Sequence, residues 1–270
     1  MILVNGEKQQ SLPVTDRGLH YGDGLFETIA VKQGRMQLWQ LHMQRLFKGC
    51  QRLGIPSPDE VLLRQEAEQV CAGSECAVLK IIITRGSGGR GYRPPESCEP
   101  TRILIRYPWP EHADNNEAIR IRLCQATLGS NPALAGIKHL NRLEQVIARN
   151  EWKDGAIAEG VMCDTRGTVI EGTMSNLFGV RAGRLITPDL SQCGIEGVMR
   201  GQIITVAQHL RIPCEIMSFG RDALEAMDEV FICNSVLGIR PVAQFEQVAY
   251  GDNPITRQLQ NALQEVLEEQ

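Results

Sequence analysis

Two prolines in Tyr107-Pro108-Trp109-Pro110-Glu111-His112-Ala113 constrain this chain more than any other feature. Each lacks a backbone N–H, so neither a strand ladder nor a helix passes easily through the segment, which reads as an extended connector over 108–113. The connector divides the chain into a small N-terminal α/β domain, 1–107, and a larger C-terminal α/β domain, 114–270. With 270 residues, 43% of them hydrophobic, there is enough apolar material for two cores. Before the connector, Val78–Thr84 and Arg102–Arg106 read as strands. Trp39, Met43, Leu46, Cys50 and Leu53 recur at steps of four and three, which makes one apolar helix stripe. Beyond it, strands are expected at 119–126, 156–163, 176–180, 214–217 and 229–233. Helices are expected at 139–152 (Leu140, Leu143, Val146 and Ile147 on one face), 197–210 and 256–268. The class is mixed α/β, with α+β character.

Charge and cysteine usage narrow the function. A net charge of −4 and a pI near 5.8 provide no broad basic field, so a small molecule is a better partner than nucleic acid. Met1–Glu7 turns polar too early for a secretory signal, and no run of 18 apolar residues follows; a soluble, cytoplasmic protein without membrane partners is expected. Nine cysteines without CxxC spacing fit reduced thiols, and five histidines without HxH or HExxH spacing give no expected metal site. Gly86-Ser87-Gly88-Gly89-Arg90-Gly91 satisfies GxGxxG after a strand. Tyr92-Arg93-Pro94-Pro95 follows where a dinucleotide site needs a helix, so the segment reads instead as a glycine loop whose Arg85, Arg90 and Tyr92 cover a carboxylate-bearing substrate.

The chemistry concentrates in two later segments. Lys138 lies between the apolar run 133–137 and an expected helix start, where partial burial favours a reactive amine. Its rival Lys80 sits inside an apolar strand and reads as an outward or edge position that discourages aggregation. Glu171 opens Glu171-Gly172-Thr173-Met174-Ser175-Asn176-Leu177-Phe178, and Gly194–Arg200 leads into a helix whose free N–H groups attract phosphate. An amine for an aldehyde, a carboxylate for a pyridine nitrogen and a phosphate seat together suggest pyridoxal phosphate.

These segments, with Tyr21–Thr28, His42-Met43-Gln44-Arg45-Leu46 and Cys233-Asn234-Ser235, resemble the fold-type IV pyridoxal phosphate enzymes in the same order from residue 1 to about 245. The group includes branched-chain and D-amino-acid aminotransferases and a lyase branch acting on 4-amino-4-deoxychorismate. Arg85–Tyr92 and Gly136–Gln145 are similar to the lyase branch in particular. The resemblance implies a two-domain mixed fold and a homodimer. It implies that Lys138 holds the cofactor and acts as base, and that Glu171 pairs with the pyridine nitrogen. Arg45, the backbone amides of Val198 and Met199, and Ser235 would hold the phosphate, with Asn176 also at the cofactor. Phe26, Thr28, Arg90 and Tyr92 would meet the substrate, with Thr28 a candidate proton donor. The alternatives are an aminotransferase on the same scaffold, a pyridoxal phosphate-binding protein without turnover, and RNA binding through the arginine–glycine loop.

Overall fold

The computed structural model describes residues 1–111, 113 and 117–268. His112, at the end of the expected connector, the first residues of the expected C-terminal domain (114–116), and the tail residues 269–270 lie outside them. Two units emerge from the contacts: the described residues up to Ala113 together with Ile137–Asn141, and residues 117–136 with 142–268.

The first unit contains β1 (Ile2–Val4), α1 (Arg17–Tyr21), β2 (Gly24–Lys32), β3 (Arg35–Met36), α2 (Trp39–Leu53), α3 (Glu60–Cys71), β4 (Cys76–Thr84) and β5 (Thr101–Pro108). Its antiparallel sheet runs β1-β5-β4-β2-β3. The apolar stripe forms the expected helix α2: Trp39, Met43, Leu46 and Cys50 are buried, and the helix packs on β2. α3 starts at Asp59, whose carboxylate accepts from Leu62 N at 2.8 Å.

Two expectations need correction here. β5 continues through Tyr107 and Pro108, which pair with Val78 and Ala77. A proline at a strand end forfeits only one ladder bond, so the first of the two prolines does not stop the strand. Lys80 is not at an edge, because β4 lies between β5 and β2 with Lys80 opposite Thr28 and Ile105.

The second unit contains β6 (Ile119–Leu128), α4 (Leu143–Arg149), β7 (Ile157–Asp164), β8 (Val169–Gly172), β9 (Asn176–Arg181), β10 (Arg184–Pro188), α5 (Val198–His209), β11 (Cys214–Met217), α6 (Arg221–Glu225), β12 (Glu229–Asn234), β13 (Gly238–Phe245), β14 (Val248–Ala249) and α7 (Pro254–Glu268). Its sheet runs β11-β10-β9-β12-β13-β6-β7-β8, with β14 on β13. Phe178 on β9 stacks on Phe231 of the paired β12, with centroids 4.9 Å apart, at the centre of this sheet.

The expected helix over 139–152 is shorter, Leu143–Arg149, and its apolar face does not turn inward. Leu143 is 76% exposed, and Val146 and Ile147 are also exposed, while Gln145 and Ala148 are buried. The residues that would have begun the helix are extended: Phe26 N donates to Lys138 O at 2.9 Å, Leu140 N donates to Gly24 O at 3.0 Å, and Leu25 bridges His139. Strand pairing uses these backbone groups, so 137–141 belongs to the first unit, within the span expected as one C-terminal domain. Among the described residues no helix is long and apolar enough to cross a membrane.

Candidate active site

The candidate residues fall into two groups, one in each unit. In the first unit, β2 sends alternate side chains to opposite faces. Phe26 and Thr28 share one face with Lys80, which the register places opposite Thr28. The Lys138 Nζ lies 4.4 Å from the centroid of the Phe26 ring, and the Lys80 Nζ lies 5.1 Å from it. One aromatic ring thus meets two amines, an arrangement the ring's negative face favours. Gly24 permits it: a Cβ there would stand 2.5 Å from Ile83 O and 2.8 Å from Leu140 Cδ1, blocking the approach of the 137–141 segment.

Glu27, between Phe26 and Thr28, faces α2. Its carboxylate accepts from His42 Nδ1 at 2.7 Å and from Arg45 through two nitrogens, Nε at 2.8 Å and a short second bond. Burial works to raise the Glu27 carboxyl, but the Arg45 charge and hydrogen bonds, then His42, outweigh it and hold it at about 2. Burial also keeps His42 below its ordinary value, against the pull of Glu27. Arg45 is therefore locked in orientation by a carboxylate to which sequence reading assigned no role. The signal was present: Glu27 is the one charged residue in the largely apolar run Gly24–Val31.

This trio sets an acid dependence. A carboxyl held below its ordinary value stabilises the fold fully above that value and loses the contribution as pH falls from 4.5 towards about 2. The difference amounts to roughly 3 kcal/mol. A histidine held neutral adds a loss of the same sign below its ordinary value of 6.5. Urea midpoints measured from pH 7 to pH 3 should fall steeply for the parent and more shallowly for Glu27→Gln; parallel curves would remove the assignment.

The glycine loop after β4 is tethered. Arg85, expected to reach substrate, is buried and fully engaged: Nε donates to Asp23 Oδ2 at 2.8 Å, Nη1 to Gly54 O and Nη2 to Leu53 O, each at 2.7 Å. Arg17 donates to Asp23, to Gly91 O and to Tyr92 O, pinning the loop from α1. Burying a guanidinium is tolerable only with such partners, which removes Arg85 from the substrate-binding candidates. Arg90 is exposed, and Tyr92 is 86% exposed with its ring edge-on to Tyr21. The structure does not gather these two with Phe26 and Thr28.

In the second unit, Glu171 lies buried on β8, next to its last residue, and its Oε2 accepts from Ile195 N at 2.8 Å and, more weakly, from Asn176 Nδ2 at 3.4 Å. Asn176 Nδ2 also donates to Ile195 O at 2.9 Å, so Asn176 fixes the turn that fixes Glu171. The next turn, at Gly197, leads into α5. A Cβ there would stand 1.9 Å from Asn176 Oδ1, so only glycine fits. No side chain caps α5, whose first turn holds the buried Val198 and Met199; the opening N–H groups of a helix lack intrahelical acceptors and favour an anion. Ser235 follows β12 in a turn where Asn234 Oδ1 accepts from Val236 N at 3.0 Å and Leu237 N at 2.8 Å. Burial lowers the Arg142 guanidinium from its usual range, and Glu171 is the first of two carboxylates opposing this.

The donor set fits pyridoxal phosphate: an amine on an aromatic face, an oriented buried carboxylate, and a glycine-entered helix start without a side-chain cap. Among the described residues no group of His, Cys, Asp or Glu is placed to hold a metal ion.

The family model for class IV amino-transferases matches residues 24–245. An aminodeoxychorismate lyase from Vibrio harveyi is 36% identical over 269 residues, 97% of this chain and 99% of that one. The crystal structure of 4-amino-4-deoxychorismate lyase from Pseudomonas aeruginosa matches with a TM-score of 0.93 at 44% identity, covering 99% of this chain and 100% of that chain. Branched-chain amino acid aminotransferase from Escherichia coli matches with a TM-score of 0.87 at 25% identity, covering 98% of this chain and 94% of that one.

Proposed function

This chain belongs to the class IV amino-transferase family, and from that premise we propose that it is a pyridoxal phosphate-dependent carbon–oxygen lyase converting 4-amino-4-deoxychorismate to 4-aminobenzoate and pyruvate. The observation that carries this reading is the full-length likeness to two lyases, at 36% and 44% identity, against 25% for the Escherichia coli aminotransferase and 30% for a putative one from Methanocaldococcus jannaschii. Pyridoxal phosphate, when bound, supplies an aldehyde for an amine and a ring that accepts electrons.

Lys138 Nζ would hold the cofactor's aldehyde, and its amine, when free, would serve as the base for the proton on the substrate's ring carbon 4. Glu171 would keep a proton on the pyridine nitrogen, with the Ile195 N–H keeping the carboxylate aimed. Arg45, Val198 N, Met199 N and Ser235 would hold the phosphate. As the bond from ring carbon 3 to oxygen breaks, the ring becomes aromatic and enolpyruvate departs. It becomes pyruvate by taking a proton at its terminal carbon, for which the Lys138 ammonium and the Thr28 hydroxyl are the two donors. Phe26 lines the substrate's position. Lys80, beside the same ring as Lys138, supplies a positive charge for a substrate carboxylate, a role that Arg90 and Tyr92 fill only if their exposed loop is recruited.

The product belongs to 4-aminobenzoate and folate synthesis. We read the enzyme as a cytoplasmic homodimer, which the exposed apolar residues of α4 support, since a patch of this kind favours association. Mixing purified protein with 4-amino-4-deoxychorismate should release 4-aminobenzoate and pyruvate in equal amounts without a keto acid. Turnover that requires a keto acid would replace this reading with a branched-chain or D-amino-acid aminotransferase.

A further inference from the structure

We infer that Glu159, which sequence reading did not single out, is a positioning residue that sets the geometry of Glu171 and Asn176 from behind. The inference rests on the reading that Glu171 pairs with the cofactor's pyridine nitrogen.

Glu159 lies on β7 with 3% of its surface exposed. Its Oε1 accepts from Gly160 N at 2.9 Å, from Thr173 N at 3.1 Å and from the Thr173 hydroxyl at 2.5 Å. Its Oε2 accepts from Met174 N at 3.1 Å and from the Ser175 hydroxyl at 2.9 Å. Five donors therefore converge on one carboxylate. Four of them come from the three residues 173–175, which separate Gly172 from Asn176.

Backbone bonds alone do not fix the side chains of this turn. Gly172 N donates to Ser175 O at 2.7 Å and Thr173 N to Gly160 O at 3.0 Å, and these bonds close the turn without fixing its hydroxyl-bearing side chains. Glu171 precedes the turn with only Gly172 between, and Asn176 follows it directly. The same two residues meet again through the Asn176 Nδ2 contacts to Glu171 and Ile195 O. A shift of the turn moves both ends of that arrangement. Met174 O also accepts from Asn234 Nδ2 at 3.2 Å, so the turn is tied to the segment that carries Ser235. Carboxylates bind N–H and O–H donors more strongly than amides do, and an amide at this position would aim its own NH₂ hydrogens at some of the donors. Glu159→Gln therefore preserves shape and loosens the turn.

The test reads the cofactor's environment as well as turnover. Bound cofactor is titrated with pH and its visible absorption followed in the parent, Glu159→Gln, Glu171→Gln and the double variant. Glu159→Gln should move the midpoint in the same direction as Glu171→Gln, by about half a pH unit or more. The double variant should show no further movement, because Glu159 acts through Glu171. A merely structural residue would lower the urea midpoint and leave the spectral midpoint in place, which would overturn the inference, as would fully additive shifts. If Glu171→Gln itself leaves the midpoint unmoved, the pyridine assignment fails and takes this inference with it. A shift in Glu171→Gln with none in Glu159→Gln sinks the inference about Glu159 alone. Should Glu159→Gln not fold, Thr173→Val, which removes one hydroxyl donor, is measured in the same way. It should give a smaller shift of the same sign, and none would overturn the inference.

Discussion

Replacing Lys138 with alanine is expected to abolish turnover, with kcat falling about 10³-fold or more, and to remove the visible absorption that bound cofactor gives the parent. Both effects follow from one amine serving as the attachment point and as the base, since a positioned base alone contributes about 10²–10⁴-fold. The structure also defines the control. Lys80 Nζ lies beside the same Phe26 ring, only slightly farther than Lys138 Nζ. Lys80→Met should therefore keep the absorption band and lose substrate affinity, raising KM more than it lowers kcat. A Lys138→Ala variant that keeps both its colour and its rate would assign the chemistry to another amine.

The second large effect is expected for Glu171→Gln. A glutamine oxygen still accepts from Ile195 N, so the turn survives, but the charge opposite the pyridine nitrogen is gone. Removing a preorganised electrostatic partner of this kind costs about 10²–10³-fold in kcat. Cofactor affinity should change far less, because the residues proposed to hold the phosphate are other than Glu171. Single-turnover rates and cofactor titration separate the two quantities. Equal losses in both would make Glu171 a binding residue, and an unchanged rate would remove it from the chemistry.

The sequence was most legible where local pattern and tertiary packing agree. The four-and-three apolar spacing from Trp39 to Leu53 marks helix α2 because the stripe that packs on β2 is also the stripe that repeats. The strands 119–126, 176–180 and 214–217 were likewise readable, the first from alternation of apolar and charged residues. β13 was missed because Pro241 interrupts its pattern, although Pro241 sits in the ladder opposite Phe231. The helix expected from residue 139 failed for another reason. Residues 137–141 are claimed by backbone pairing with β2, a long-range contact with no local signature, and the remaining helix α4 turns its apolar face outward.

The candidate site shows the same division. Lys138, Glu171, Asn176 and the glycine entry to α5 were candidates on residue type, spacing and resemblance, whereas the partners that fix Arg45 and Arg85 had no local signature. Glu27 and His42 locking Arg45, and Asp23 holding Arg85 away from any ligand, depend on pairings between residues far apart in the chain. A charged residue inside an apolar strand, as at Glu27 and Lys80, was the one available sign that a partner or a ligand had to exist. Burial of such a group without one costs several kcal/mol.

The most direct test of the central claim is to reduce the cofactor-loaded protein with borohydride, which makes the bond between the aldehyde and its amine permanent, and to map the modified peptide. The pyridoxyl group should be found on Lys138 and nowhere else, with Lys80 unmodified. Modification of Lys80 in place of Lys138, or of neither, would contradict the account.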